Sequence, residues 1–209
     1  MGDAGSDRAA VTVLEPEDLA RANLYGLISR LFYGPADSNL LAEINGSAGG
    51  EEGQGSDRGL VAAWRGLREA CRSAYPAVVR QEYDGLFVGV GRAEVTPYLC
   101  GYAEASAPDR CLVRLREQLA VWGLARRDGV NEVEDHISGI SDVMRWLIEN
   151  QRPYAEQQQF FESIAYPGAV AFCAAVQRAA SANFYKHVAV FTLSFLEVER
   201  TAFEMGDNA

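Results

Sequence analysis

Apolar residues recur at intervals of three and four along nearly the whole chain, and nowhere do they settle into a sustained alternation of two. That period puts them on one face of an α-helix and excludes a half-buried strand. From Pro16 to Tyr33 the stripe is Leu24, Leu27, Ile28, Leu31 and Phe32, with Pro16 suited to a first helical turn and Glu17 and Asp18 favourable at its positive end. Gly34-Pro35 stops that helix, and Asp37 or Ser38 caps a short one carrying Leu40, Leu41 and Ile44. Further helices are expected around Leu60–Cys71, from Pro76 through Val79, Tyr83 and Phe87, and from Pro108 through Leu112, Leu115, Leu119 and Trp122. Asp135 or a neighbouring acid opens another with Ile137, Ile140, Met144, Leu147 and Ile148. Pro153 opens one through Phe160, Phe161 and Ile164 that Tyr166-Pro167-Gly168 should end, and two more follow at Val170–Ala180 and Phe184–Met205. In the last, Phe184, Val188, Phe191, Phe195 and Val198 form the inward stripe. The expected class is all-α.

At 209 residues with 48% apolar side chains the chain can bury one substantial core. Residues 1–14 are polar and expected as a flexible N-terminus, and 15–206 as a single helical domain. Within it, 46–59 hold six glycines and no large apolar side chain, the composition of a mobile loop. Residues 88–108, with three glycines and two prolines, read as a long loop, and loops of that length in compact domains carry function or are disordered. The net charge of −10 disfavours a nucleic-acid partner and suits a basic one such as a cationic peptide. Cys71, Cys100, Cys111 and Cys173 show no CxxC spacing and only His136 and His187 accompany them, so no metal site is expected. The start MGDAGSDRAAV lacks a signal peptide's apolar stretch, and no apolar run of spanning length is evident. These features imply a cytoplasmic protein with reduced, mostly buried thiols.

No catalytic constellation stands out: there is no GxSxG, HExxH or P-loop, and Gly89-Val90-Gly91 follows a helix rather than a strand. Ser138 and His136 are close in sequence, but neighbouring helical positions point in different directions, so no Ser–His pair is expected. No cofactor is implied, and the chain reads as a non-enzyme. Two segments remain unusual. Residues 82–102, EYDGLFVGVGRAEVTPYLCGY, set Tyr83, Leu86, Phe87, Pro97, Tyr98 and Tyr102 around a Gly-rich turn, either as core or as an aromatic grip for a peptide. Residues 131–138, NEVEDHIS, place Glu132, Glu134, Asp135 and His136 at a helix start, where they serve the helix dipole or form an acidic pocket for guanidinium groups.

In this order and spacing the two segments resemble the TorD/DmsD/NarJ family of redox-enzyme maturation chaperones. Tyr83-Asp84-Gly85-Leu86-Phe87-Val88-Gly89, then Thr96-Pro97-Tyr98-Leu99-Cys100-Gly101-Tyr102, then Glu132-Val133-Glu134-Asp135-His136 carry the likeness. The Leu24-Tyr25…Leu31-Phe32 helix and the Phe184-Tyr185 start of a last helix containing Glu197 extend it. The resemblance implies an all-α bundle with a larger N-terminal part hinged to a smaller C-terminal one. It implies a chaperone that binds the apo catalytic subunit of a molybdenum oxidoreductase, often at its twin-arginine signal peptide, assisting folding, cofactor insertion and export proofreading. Proteins of molybdenum-cofactor biosynthesis are further partners it allows, with the chaperone a monomer or homodimer. The matching peptide-binding positions are Tyr83, Leu86, Phe87, Pro97, Tyr98, Tyr102, Asp135 and His136. Val90, Thr96, Cys100 and Val133 depart from the usual proline, proline, serine and proline, leaving the client open. The alternatives are a helical adaptor for an unrelated protein and a small-molecule enzyme built on the 88–102 loop.

Overall fold

The computed structural model describes residues 14–47, 59–89, 93–124 and 134–206. The expectations for 1–13, for 48–58 of the Gly-rich loop and for Val90, Gly91 and Arg92 lie outside the described residues. The regular structure is helical: α1 (Pro16–Tyr33), α2 (Ser38–Gly46), α3 (Leu60–Ser73), α4 (Pro76–Tyr83), α5 (Cys100–Ala103), α6 (Pro108–Val121), α7 (Ile137–Glu149), α8 (Tyr154–Phe160), α9 (Tyr166–Arg178) and α10 (Phe184–Gly206). The all-α expectation holds, and the loop foreseen at 88–108 contains the single helical turn of α5.

Prolines set the helix starts as anticipated at Pro16, Pro76 and Pro108, where the missing N–H costs nothing. Asp37 caps α2, accepting the Leu40 N–H at 2.8 Å. Tyr166-Pro167-Gly168 does not end a helix. A π-turn at Phe161–Ala165 joins α8 to α9 and moves the backbone to an i→i+5 register, with the Tyr166 N–H bonded to the Phe161 carbonyl. Pro167 then falls in the first turn of α9, where its lack of a donor is tolerated. Gly168 is there for close approach: a Cβ on it would lie 2.8 Å from the Leu99 Cβ. The joined run Tyr154–Arg178 is 25 residues long and apolar enough to pass a length-and-composition test for a membrane span, which amends the sequence reading. Half of its most apolar window is buried, with Phe160, Phe161, Phe172 and Cys173 fully inside, so the core accounts for its apolarity.

The most extensive helix pair is α1 with α7, while α10 lies against α3 and α9. At their centre Phe32, Phe87, Phe172, Tyr83 and Tyr185 form an aromatic cluster. Phe32–Phe172, Tyr83–Phe87 and Phe87–Tyr185 meet edge to face at 5.2, 5.1 and 5.2 Å between centroids, the arrangement ring quadrupoles favour.

On α10 the inward stripe departs from the apolar pattern. Val198 is 49% exposed, and Glu199 is the residue that turns inward, at 2% exposure. Its carboxylate accepts Arg21 Nε at 2.8 Å, Arg21 Nη2 at 3.1 Å and the Tyr25 hydroxyl at 3.0 Å. Arg21 also donates to Asp18 and Gln157. Burial beside this carboxylate holds the Tyr25 hydroxyl well above the usual phenol range. The network ties α1, α8 and α10 across 178 residues of sequence.

Removing one partner of a buried ion pair strands the other charge, so Arg21→Ala should lower unfolding stability by roughly 3–5 kcal/mol. The paired change Arg21→Met with Glu199→Leu should recover most of that loss in urea denaturation. A single Arg21→Ala loss below about 1 kcal/mol would mean that water reaches Glu199. Gly168→Ala should independently cost about 1–3 kcal/mol by overpacking against Leu99.

Candidate functional site

The two unusual sequence segments meet in space. Tyr98 and His136 form an isolated antiparallel bridge. Ile137 N–H donates to the Pro97 carbonyl at 2.9 Å, and Leu99 N–H to the Asp135 carbonyl at 2.8 Å. Beside these the Asp135 carboxylate accepts the Cys100 N–H at 3.2 Å, capping the start of α5. Asp135 is 5% exposed, and its burial raises the carboxyl pKa above the ordinary range despite the opposing pull of that N–H.

His136 is the residue that caps α7. Its backbone is extended (φ −60°, ψ 138°), and its Nδ1 accepts the Ser138 N–H at 3.2 Å. Ser138 Oγ lies 2.6 Å from the same nitrogen, so the two side chains do meet, contrary to the sequence argument. Two helical residues at this spacing would point apart, but His136 is a non-helical cap residue that turns its side chain back over the first turn. With Nδ1 accepting, the ring proton belongs on Nε2. The imidazole also meets the Tyr98 ring edge-on at 5.7 Å.

The remaining candidate residues divide by depth. Tyr83, Leu86 and Phe87 are inside the core at 8%, 0% and 7% exposure, and Tyr83 donates its hydroxyl to the Phe32 carbonyl at 3.0 Å. Pro97 is buried in the bridge, and Tyr102 is half-buried against Phe172 at 6.1 Å. Glu134 is half-buried and pairs with Arg116 at 3.1 Å. Glu132 lies outside the described residues. Two further acids in this region have work the sequence did not reveal. Glu82 accepts the backbone N–H groups of Asn183, Phe184 and Tyr185 at 2.8, 3.0 and 2.8 Å, anchoring the start of α10. Glu94 holds the Ala180 N–H and the Ser181 hydroxyl in the preceding turn.

Glu134 and His136 line a cleft of about 860 Å³ between α1, the start of α2, the end of α6 and α7. This lies in the upper part of the range for ligand-binding sites. Its lining carries four carboxylates, Asp37, Glu134, Asp142 and Glu149, against two guanidinium groups, Arg30 and Arg145. Both arginines are already paired, Arg30 bidentate to Glu43 at 2.8 and 2.7 Å and Arg145 to Glu149 at 2.7 Å. The apolar lining comes from Tyr33, Pro35, Leu40, Leu119, Leu124, Val143 and Trp146. Sequence reasoning missed this surface. The available signal was the outward stripe Asp142, Val143, Trp146 and Glu149 on α7, together with Tyr33 exposed to 64% at the end of α1.

One disulfide also contradicts the sequence reading. Cys100 and Cys111, expected as reduced thiols, are bonded to each other with Cα atoms 5.4 Å apart, while Cys71 and Cys173 are free and buried. The short turn between α5 and α6 creates that proximity, which an eleven-residue sequence spacing does not encode. Among the described residues no group of three or more His, Cys, Asp or Glu side chains is placed to hold a metal ion.

A family model described as nitrate reductase delta subunit matches residues 54–184. The chain belongs to the nitrate reductase delta subunit family. This is a family of molybdoenzyme maturation chaperones within the wider TorD/NarJ/DmsD group, as the motif resemblance implied. No curated protein sequence matches the chain closely enough to count as a relative. The family match begins ahead of α3 and ends on the first residue of α10, so it contains both bridged segments; α1, the opposite wall of the cleft, precedes it.

For this delta-subunit chaperone the bridge makes a specific energetic demand. Asp135→Ala leaves the buried Cys100 N–H without an acceptor and should cost about 1–3 kcal/mol, whereas Asp135→Asn retains an accepting oxygen and should cost less. The folded-state pKa of Asp135 is raised, so its contribution is full below the unfolded value near 4 and is lost as pH rises through the folded value. Wild type should therefore lose stability relative to Asp135→Asn as pH climbs from about 4. A constant difference across that range in thermal melts would refute the burial argument.

Proposed function

We propose that this protein is a cytoplasmic chaperone that binds the N-terminal segment of the apo catalytic subunit of a molybdenum oxidoreductase in the cleft between α1 and α7. It holds that segment while the subunit folds and receives its cofactor, and where the client is exported it delays export until insertion is complete. Membership of a molybdoenzyme chaperone family supports the client class. The observation that carries the binding site is the cleft itself, acidic and apolar at once and lined by Glu134, His136 and Ser138 of the second motif segment, which the first segment holds in place through the bridge.

A segment with arginines followed by an apolar stretch complements this lining. Carboxylates bind guanidinium groups in bidentate fashion, and Tyr33, Trp146 and Leu119 supply apolar area of well-defined shape. Glu134 and His136 line the bridge side of the cleft and are the motif residues proposed to face the peptide, with the half-buried Tyr98 packed against His136. Tyr83, Leu86, Phe87, Pro97, Tyr102 and Asp135 act behind them, fixing the backbone that presents the cleft. None of these six lines the cleft, and all but the half-buried Tyr102 are buried.

Titration with a peptide carrying paired arginines ahead of an apolar stretch tests the reading, with Trp146 as a fluorescence reporter. Glu134→Lys with Asp142→Lys should weaken binding at least tenfold and flatten its salt dependence, because two attractive charges become repulsive. Trp146→Ala should weaken binding by a comparable factor through lost apolar contact. Peptide affinity unchanged by all three substitutions would place the binding site elsewhere. Co-purification with a partner other than a molybdoenzyme subunit would favour the adaptor alternative.

A further inference from the structure

We propose that the Cys100–Cys111 disulfide is a reducible lock on the peptide cleft, so that the thiol–disulfide state of the chaperone sets its affinity for the client segment. The proposal rests on the cleft reading above and assigns that site a form of regulation.

The bond joins two elements that meet at the cleft. Cys100 is the first residue of α5, and its N–H is held by the Asp135 carboxylate in the bridge that also positions His136. Cys111 lies in the first turn of α6, the helix whose far end brings Leu119 to the cleft and whose Arg116 pairs with Glu134 at 3.1 Å. One covalent bond thus fixes α6 to the backbone that carries the cleft's bridge-side residues. Beyond the apolar burial of Leu115, the other ties near that end of α6 are weak. Arg114–Glu104 and Arg116–Glu134 are surface pairs with the arginine side chains 54% and 52% exposed, a class that contributes little. At the opposite end Trp122 is held by Phe160 at 5.5 Å between rings and by a hydrogen bond to Glu156 at 3.0 Å. Breaking the disulfide leaves α6 anchored at Trp122 and at the fully buried Leu115, so what it releases is the first turn of α6 and the single turn of α5. Loosening α5 disturbs the Cys100 contact to Asp135, and with it the bridge that sets His136 on the cleft wall. The locked form is pre-organised for the peptide and binds it more tightly.

The step is thiol–disulfide exchange with a dithiol reductant. One thiolate of the reductant attacks a sulfur of the pair, its second thiolate resolves the mixed disulfide, and the reductant leaves as its own cyclic disulfide. The S–S bond breaks, two electrons pass to the protein sulfurs, and the two protons of the dithiol end on Cys100 and Cys111. Both sulfurs are buried, so reduction requires the α5–α6 turn to open first, and the lock responds slowly.

The full-length protein is prepared oxidised and after treatment with dithiothreitol, and thiols are counted by alkylation in denaturant. Two are expected in the oxidised form, Cys71 and Cys173, and four in the reduced form. Amide hydrogen exchange without peptide should quicken over α6 on reduction and stay unchanged over α10. Affinity for the paired-arginine peptide should fall about three- to tenfold on reduction, as expected when a pre-organised wall is released. Cys111→Ala and Cys100→Ala should each bind like the reduced form and ignore the reductant, while Cys71→Ala should respond like wild type. Four free thiols in the oxidised preparation, or unchanged exchange over α6, would overturn the lock. Equal or tighter peptide binding after reduction would do the same. If the peptide binds neither form, the cleft reading fails instead, and the exchange data still decide whether reduction frees α6.

Discussion

Two backbone hydrogen bonds and one carboxylate organise the functional half of this molecule. The pairing of Pro97 and Leu99 with Asp135 and Ile137 is too short to count as a sheet. It nevertheless fixes where α5 and α7 begin, and through the disulfide where α6 begins. In an otherwise helical protein, backbone groups in a long connection have no intrahelical partners, and burying them unpaired would cost far more than the pairing gains. The chain answers this with a bridge between two connections that each need one. That requirement keeps the segments adjacent although thirty-five residues of sequence separate Cys100 from Asp135.

The same economy explains where much of the acidity goes. A net charge of −10 invites a reading in terms of partners, yet several carboxylates are engaged within the fold. Glu82 and Glu94 hold the start of α10 and the turn before it, Asp135 holds α5, and Glu199 neutralises Arg21 in the core. Carboxylates at helix starts gain from the dipole and from charge-assisted bonds to backbone N–H groups. The acids left on the cleft are therefore a minority selected by position, and position is a tertiary property.

This division shows what could be read from the sequence and what could not. Several helix starts were legible because prolines at 16, 76 and 108 and the Asp37 cap act locally, whereas the single turn of α5 was not. Tyr166-Pro167-Gly168 misled because the same residues that break a lone helix are accommodated once a π-turn shifts the register and Leu99 needs the space over Gly168. Val198 misled because hydrophobicity was used to choose the buried position, when Arg21 on another helix made Glu199 the better-matched one. For the candidate site, the two motif segments were visible, but their division into interior and cleft-facing residues was not. Tyr83 and Phe87 look alike as core or as grip until Phe32, Phe172 and Tyr185 arrive from distant sequence. The rest of the wall, Tyr33 on α1 and Trp146 on α7, carries no motif and emerges only when α1 packs on α7.

A cleft of this composition also suits reversible capture. The cationic side chains of its own lining are already satisfied by Glu43 and Glu149, so an incoming arginine finds carboxylates partly engaged and must compete for them. Each such surface pair contributes about 0–1 kcal/mol, so exchange is cheap in both directions and adds little net affinity. Under the proposed function, long-range attraction by the acidic lining would speed encounter, while dwell time would be set by the apolar contacts at Tyr33, Leu119 and Trp146. Affinity and rate are thereby assigned to different residues. A chaperone that must release its client once cofactor insertion is complete gains from that separation, since folding of the client need only withdraw its apolar stretch to end the complex.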